Sequence, residues 1–187
     1  MDIKRLIIEI RSHLATTFEA IDLWFNKDEV IRHYRPLSGG WTINEILEHI
    51  SLTNHFLLIL IEKGTRKALQ NAAKQDLKTV LENYAFHQDK LAEIALHRSF
   101  PWMRPVHMEP SGTKPMSEIR DLLKAQLEQC LSYLDKMPNG EGILYITTMT
   151  VNNLGKIDVY KYIYFLSQHG RRHLKQMERN EEELRGV

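Results

Sequence analysis

The sequence predicts an all-α protein, a four-helix bundle with long crossover connections. Apolar residues recur at intervals of three and four over most of the chain, which is the spacing of a helix with one buried face. A T-x-x-E pattern, typical of a helix start, precedes one of these periodic stretches. The length of 187 residues suits one well-buried domain, and no internal repeat is present. We therefore expect a single domain spanning residues 1–187.

Two of the four bundle helices are predicted in the N-terminal part of the chain. An apolar stripe predicts the first helix over about residues 3–24. A segment with one proline and two glycines then interrupts the pattern. Thr42 and Glu45 form a predicted capping box that begins a second helix over about residues 42–62, and Gly64 is expected to end it.

The other two bundle helices are predicted after a long connection. A helical pattern over about residues 76–96 is expected to form one extra helical segment between the second and third bundle helices. Residues 99–115 hold four of the six prolines and predict a long loop, followed by a helix over about residues 116–136. Residues 143–151 are rich in β-branched side chains, but an isolated strand has no partner, so we expect an extended or 3₁₀ segment there. The last helix is predicted to begin after Asp158 and to end at about Glu183.

Composition excludes several classes of protein. A formal net charge of +1 argues against a dedicated nucleic-acid binder. The longest apolar run, Phe56 to Ile61, is far shorter than the ~18 residues of a membrane span, and the N-terminus lacks the features of a secretory signal. The single cysteine, Cys130, excludes an internal disulfide framework and falls on a core stripe. We expect a cytoplasmic protein that binds neither nucleic acid nor membrane.

Two histidines of the last helix, His169 and His173, continue the spacing of its apolar stripe. Both therefore occupy positions that face the bundle interior, one turn apart. Buried imidazoles are costly unless both ring nitrogens have partners, and a metal ion satisfies one nitrogen of each ring. The H-x-x-x-H spacing alone is weak evidence among nine histidines, so the interior position carries the interpretation.

A third ligand is available on the second helix. His49 lies at the edge of that helix's core stripe, beside Ile50, whereas His55 faces nearly the opposite side. The remaining histidines have no partner at ligand spacing and are interpreted as surface or locally bonded side chains: His13, His33, His87, His97 and His107.

Two further polar residues lie one helical turn from these histidines. Glu45 precedes His49 and could orient it, although its capping-box role is the alternative. Gln176 follows His173 and could orient that ring or a bound water, although a surface position explains it equally well. No residue stands out as a general base, so the catalytic residues stay unassigned.

Two segments of the sequence resemble the signatures of a known family. GGWTINEILEH, residues 39–49, resembles the W-[ST]-x-x-E-x-x-x-H signature of the DinB/YfiT-like metalloprotein superfamily. LGKIDVYKYIYFLSQHGRRHLKQMER, residues 154–179, is similar to its G-x-[LI]…H-x-x-R-H-x-x-Q signature. Their order and separation also fit the family. Residues 66–115 contain no motif that aligns with it, so the resemblance says little about the reaction.

The resemblance implies a four-helix bundle in which three histidines bind a divalent ion, commonly zinc or nickel. The matching positions are His49, His169 and His173, the same three that the helical faces indicate. Trp41 matches the family tryptophan and is expected to pack against the helix start rather than touch substrate. Characterised relatives are thought to use low-molecular-weight thiols, which implies a small-molecule substrate and a thiol cosubstrate.

Three neutral imidazoles around a divalent ion leave a coordination position open, as in catalytic sites. That position activates water for hydrolysis or binds a thiol as a nucleophile. We therefore expect a metal-dependent hydrolase or thiol transferase. The alternative is a bundle with a stabilising or vestigial metal that serves as a protein-binding or dimerisation module, and a homodimer is compatible with either. A nucleic-acid recognition helix over residues 170–179 is disfavoured by the acidic residues that follow it.

Overall fold

The computed structural model describes residues 2–86, 88–96 and 105–186. Four long helices form a bundle in which α1 and α3 each pack against both α6 and α7. The bounds of the four are α1 (Ile3–Leu23), α3 (Ile43–Ala72), α6 (Met116–Lys136) and α7 (Val159–Gly186). Shorter helices lie in the connections: α2 (Glu29–His33), α4 (Leu77–Glu82) and α5 (Gln88–Ala92). The predicted all-α bundle with an extra helical segment before its third helix is confirmed.

Local capping interactions set the starts of the two N-terminal helices. The Asp2 side chain accepts hydrogen bonds from the backbone of Lys4 and Arg5, which begins α1. The predicted capping box is present at α3: Thr42 accepts from the Glu45 backbone at 3.2 Å, and the Glu45 carboxylate accepts from the Thr42 backbone at 2.8 Å. These bonds satisfy backbone donors that have no partner within the helix.

Gly64 does not end α3, so that sequence-based prediction is wrong. The helix continues to Ala72, and Gly64 is buried within it. A Cβ at this position would lie 3.0 Å from Cγ2 of Val159 and 3.5 Å from the Tyr145 ring. Glycine is used here for close packing against the start of α7, and the buried side chains beyond it, such as Ala68, stabilise the extra turns.

The segment after α3 is broken rather than one continuous helix. Residues 83–86 lie between α4 and α5, and a 3₁₀ turn over Glu93–Ala95 follows α5. The Tyr84 hydroxyl donates to the carboxylate of Asp158 at 2.8 Å, and Phe86 is buried. These tertiary contacts hold the residues between α4 and α5 against the start of α7. The helical periodicity of the sequence alone gives no sign of them.

A two-stranded antiparallel hairpin precedes α7. β1 (Ile146–Met149) pairs with β2 (Gly155–Asp158), with Thr147 opposite Ile157. The preference for an extended or 3₁₀ segment is therefore only partly right: a 3₁₀ turn occupies Glu141–Leu144, but the strand has a partner a few residues further on. The turn depends on Asn152 and Asn153, both with φ of 49°, a conformation that asparagine tolerates better than most residues.

Two further features concern the cysteine and the apolar character of the helices. Cys130 is fully buried on α6, and burial raises the pKa of its thiol to about 12. Within the described part of the chain, no helix combines the length and the apolar character needed to cross a bilayer.

Candidate metal centre

Three buried histidines from two helices meet inside the bundle. His49 of α3 is 4% exposed, and His169 and His173 of α7 are 2% and 6% exposed. One ring nitrogen of each lies within 4.8 Å of the other two. The Nε2 atoms of His169 and His173 are 3.1 Å apart, and the His49 ring centroid lies 4.8 Å from that of His173. The structure thus brings together all three histidines singled out from the sequence.

The geometry of α7 explains why two of the rings converge. Residues four apart lie one above the other on a helix, and this face of α7 is buried in the bundle. Gly170 lets the helix approach α1 closely, because a Cβ there would lie 2.8 Å from Cγ2 of Thr17 and 3.1 Å from Cδ1 of Ile21. This part of α7, with Gly170 and both histidines, is buried in the bundle.

Hydrogen bonds orient two of the three rings. Nδ1 of His49 lies 2.7 Å from the carbonyl oxygen of Met108, and Nδ1 of His173 lies 2.9 Å from Oε1 of Gln176. A carbonyl oxygen only accepts, so each Nδ1 carries the proton and donates it. In a neutral ring, Nε2 then presents its lone pair. Gln176 is thus placed against a ring of the cluster, whereas no such contact to His49 is made by Glu45.

The cluster fits a divalent cation that prefers imidazole nitrogen. Zinc–nitrogen bonds of roughly 2.0–2.1 Å in tetrahedral geometry separate two ligand nitrogens by about 3.3 Å. The 3.1 Å between the Nε2 atoms of His169 and His173 is close to that value. Burial lowers the pKa of His169 well below its usual range, and the neighbouring His173, His49 and Arg172 lower it further. A neutral imidazole is the form that binds metals, so the three residues could hold a metal ion.

Glu45 has the capping role that the sequence allowed as an alternative. Its carboxylate accepts from the Thr42 backbone and from Arg35, whose Nη2 lies 2.7 Å from Oε1. Burial raises the pKa of Glu45, but the hydrogen bonds from Arg35 and Thr42 outweigh it, and the pKa is lowered overall. Glu45 is therefore an ionised helix cap at the edge of the site.

Sequence reasoning missed Glu48, which is 3% exposed and immediately precedes His49. Its Oε1 accepts from the backbone nitrogen of Ser111 at 3.1 Å and from the Ser111 hydroxyl at 2.8 Å, and its Oε2 accepts from the Gly112 nitrogen at 2.8 Å. Residues 105–114, here called the strap, thus lie across α3. Two consecutive residues of α3 bind the strap, because His49 donates to the Met108 carbonyl. The only sequence signal was a glutamate within a buried helical face.

The other described histidines do not join the cluster. His13 lies edge-on to Tyr164 with a ring-centroid distance of 5.3 Å, and burial lowers its pKa. His33 bonds to the Glu29 carbonyl within α2. His55 and His107 are both exposed, and the ring of each lies edge-on to the ring of Phe56. His87 and His97 lie outside the described residues.

The cluster forms part of the wall of a cavity of about 570 Å³. This volume is within the range of small-molecule sites. Most of the described wall is apolar, with aromatic, aliphatic and thioether side chains contributed by Trp41, Leu57, Met108, Met149, Val151 and Phe165. The buried imidazoles are therefore reachable by a ligand of moderate size.

Trp41 has a larger part in the site than the sequence suggested. Its carbonyl accepts from Asn180 of α7 at 2.8 Å, which fixes the start of α3 as expected. Its ring, however, lies 4.7 Å from that of His49 between centroids and faces the cavity. The expectation that Trp41 packs the helix start without facing a ligand is therefore incomplete.

Comparison with known proteins places the chain in a family. A family model, that of the DinB superfamily, matches residues 13–177, which include α3 and the histidine pair of α7. Neither a curated protein nor a solved structure matches the chain. The match covers most of the length, and the bundle with its three-histidine cluster agrees with it. The chain belongs to the DinB superfamily.

Proposed function

We propose that this protein is a divalent-metal-dependent enzyme that transfers a low-molecular-weight thiol to a small electrophilic substrate. The observation that carries the proposal is the convergence of three buried histidines at the wall of a cavity large enough for a small molecule. A divalent ion bound by His49, His169 and His173 would supply Lewis-acid activation of a nucleophile. Zinc or nickel is the ion we expect, because both accept imidazole ligands.

The residues of this chain contribute orientation and exclusion of water. The Met108 carbonyl and Gln176 accept from Nδ1 of two of the rings, so Nε2 is the nitrogen with which these rings would bind the ion. The apolar wall, including Trp41 and Phe165, limits the water around a bound substrate. Such positioning makes a bound nucleophile more effective, because the reacting groups meet in one orientation.

The cavity favours thiol transfer over hydrolysis. Among the wall residues that the structure describes, no carboxylate is available as a general acid or base. Thiol transfer has little need of one: the thiol loses its proton to solvent, its sulfur bonds to an electrophilic carbon, and the leaving group departs with the bonding pair. Hydrolysis of an ester or an amide is the alternative activity, and the screen described below also tests it. The accessible cavity also favours an enzyme over a purely protein-binding bundle.

The ligand assignment is tested by metal analysis of the purified protein and of His173→Ala. We expect about one divalent ion per chain in the wild type and loss of most of it in the variant, because two imidazoles bind far more weakly than three. His55→Ala is the matched control, since His55 is an exposed histidine of α3. Stoichiometric metal in His173→Ala would refute the assignment.

The activity is tested by a screen with thiols and aromatic or unsaturated electrophiles, and with ester and amide substrates, before and after treatment with a chelator. We expect thiol-dependent turnover that chelation abolishes and metal restores. Far-UV circular dichroism should show that the chelated protein stays helical, because the apolar core extends well beyond the three histidines. Turnover that chelation leaves unchanged contradicts metal dependence.

A further inference from the structure

Partly exposed apolar side chains line the cavity beside the three-histidine cluster. Trp41, Met108 and Val151 are each half-buried, and Pro105 is exposed, although all four belong to the cavity wall. Apolar surface that is concentrated around a concave site and left open to water is favourable to cover, so it indicates the place of a ligand. The buried part of the wall adds further apolar groups, namely Leu57, Met149 and Phe165.

The strap contributes one side of this apolar wall and is fixed to α3. Pro105 and Met108 of the strap line the cavity. The Met108 carbonyl lies 2.7 Å from Nδ1 of His49, and the backbone nitrogen of Gly112 donates to the buried carboxylate of Glu48 at 2.8 Å. A wall segment held by such bonds is in place before a ligand arrives, so binding does not have to order it.

A second segment of the wall joins β1 to β2, and residues 150–154 are here called the hairpin turn. Val151 of the hairpin turn lines the cavity. The turn is anchored independently of the strap, because Nζ of Lys90 on α5 donates to the Asn153 carbonyl at 2.7 Å. Helix α5 in turn packs against α7. The strap and the hairpin turn therefore present apolar side chains to one cavity from two separately fixed segments.

Two long polar side chains of the wall are engaged by groups of the protein. Arg172 donates to the backbone carbonyl of Leu96, and Oε1 of Gln176 accepts from Nδ1 of His173 at 2.9 Å. Neither is assigned here to a ligand. Recognition of the body of a ligand is instead assigned to the apolar side chains, which stabilise a bound molecule by removing its apolar surface from water.

We propose that the cavity binds a small molecule with an aromatic or other apolar body, which is seated between the strap and the hairpin turn. The cavity volume of about 570 Å³ suits one such molecule rather than a polypeptide segment. This inference rests on the proposed function in that it assigns the substrate class of the same site. Val151 is the residue that best tests it, because it lines the cavity from a segment that carries no histidine of the cluster.

The test compares two aromatic alcohols of different size, benzyl alcohol and 2-naphthalenemethanol, with sorbitol as a polar probe. Binding to the full chain is measured by calorimetry at several temperatures, both after chelation and after loading with zinc. We expect the naphthyl probe to bind roughly tenfold more tightly than benzyl alcohol in both forms, because it buries more apolar surface. Binding of the naphthyl probe should have a negative heat-capacity change, and sorbitol should not bind.

Variants of the hairpin assign the binding to the cavity wall. Val151→Glu should weaken the naphthyl probe about tenfold or more, because a bound apolar body would take water away from the carboxylate. Val151→Ala should weaken it about threefold, because apolar contact surface is lost. Ile146→Glu is the matched control, since Ile146 is an exposed apolar residue of the same hairpin and is absent from the described wall. Zinc affinity should be the same in all three variants.

The inference is overturned if neither aromatic probe binds, if sorbitol binds as tightly as the naphthyl probe, or if the Val151 variants keep the wild-type affinity. If Val151→Glu does not fold, Val151→Ala and the heat-capacity change decide the question. Titration with zinc alone separates this inference from the proposed function. A chain that binds no zinc but binds the naphthyl probe through Val151 refutes the metal-dependent enzyme and supports the apolar site. Thiol-transfer activity without any affinity for the aromatic probes does the reverse.

Discussion

Two buried polar clusters involve helix α7. One lies where the helix begins and makes its bonds within the protein, and the other lies at the cavity wall. At its start, Asp158 is 2% exposed and accepts from the Tyr84 hydroxyl at 2.8 Å and from the Lys161 backbone at 3.0 Å, and its carboxylate lies 3.0 Å from Nζ of Lys161. About three turns later, His169 and His173 meet a third imidazole at the cavity wall. The carboxylate of the first cluster accepts from three groups of the protein, whereas each ring of the second cluster directs one nitrogen to a shared point.

This difference separates buried polar side chains that stabilise the fold from buried polar side chains that can bind a ligand. The buried carboxylate of Asp158 caps α7 and joins it to the segment between α4 and α5, so its bonds are used by the fold. Two of the three imidazoles bond to groups of the fold through Nδ1, but one nitrogen of each ring faces the other two rings, and the three rings would repel one another if protonated. Such a cluster is expected where a cation is bound. Burial alone does not distinguish the two cases; the direction of the polar atoms does.

The largest expected effect comes from removing the structural carboxylate. Asp158→Ala should lower the free energy of unfolding by about 3–5 kcal/mol, because it leaves the Lys161 ammonium largely buried without its counter-charge. Urea denaturation followed by circular dichroism measures the change. Metal content of the folded fraction should stay at the wild-type value.

Asp135→Ala is the matched control for Asp158→Ala. Asp135 pairs with Arg11 at the surface, with 67% of its side chain exposed, so its loss should change stability little. If Asp158→Ala is no more destabilising than this surface variant, or if it loses its metal, the contrast between the two clusters does not hold.

A smaller effect is expected at Glu48, which connects the strap to the ligand-bearing face of α3. Glu48→Gln replaces one acceptor oxygen by a donor opposite the backbone N–H groups of Ser111 and Gly112. We expect about tenfold weaker cobalt or zinc binding, because the strap positions the Met108 carbonyl that orients His49. The visible absorption spectrum of the cobalt form should change as well.

Glu45→Gln is the control for this variant, since Glu45 is a carboxylate of the same helix whose bonds serve the helix cap and Arg35. It should retain the wild-type affinity and cobalt spectrum. Wild-type metal binding and an unchanged spectrum in Glu48→Gln would show that the strap has no influence on His49.

The smallest effect concerns Cys130, a buried titratable group that belongs to neither cluster. Its pKa is about 12 in the folded protein, against roughly 8.5 in an unfolded chain. Above about pH 8.5 the unfolded thiol loses its proton while the folded thiol keeps it, so the free energy of unfolding falls as the pH rises toward 12. We expect the fall to be steeper in the wild type than in Cys130→Ala, by about 1 kcal/mol between about pH 8.5 and about pH 9.5 and approaching about 1.4 kcal/mol per pH unit above that.

Urea denaturation of both proteins at about pH 8.5 and about pH 9.5 measures the difference between the slopes. A thiol reagent should label the native protein slowly and the denatured protein at once, because the thiolate is the reactive form. Equal slopes, or rapid labelling of the native protein, would mean that the core around Cys130 opens readily.

Much of the fold and the core of the site could be predicted because the signals are local. The capping box at Thr42 and the one-turn spacing of His169 and His173 depend only on neighbours in sequence. The end of α3 could not be predicted, because Gly64 looks like a helix stop until Val159 is packed against it. The hairpin escaped prediction for a similar reason: its second strand is too short and polar to be recognised without its partner.

The sequence by itself determined the helical periodicity, the helix starts and the face of α7 on which the paired histidines lie, since these follow from 3.6 residues per turn and from capping chemistry. Only the tertiary structure decided that His49 meets that pair, that Glu48 binds the strap and that Arg172 faces the cavity. These contacts join residues about 60 to 120 positions apart. Their formation depends on how the helices pack, and packing is decided by the whole core rather than by any one segment.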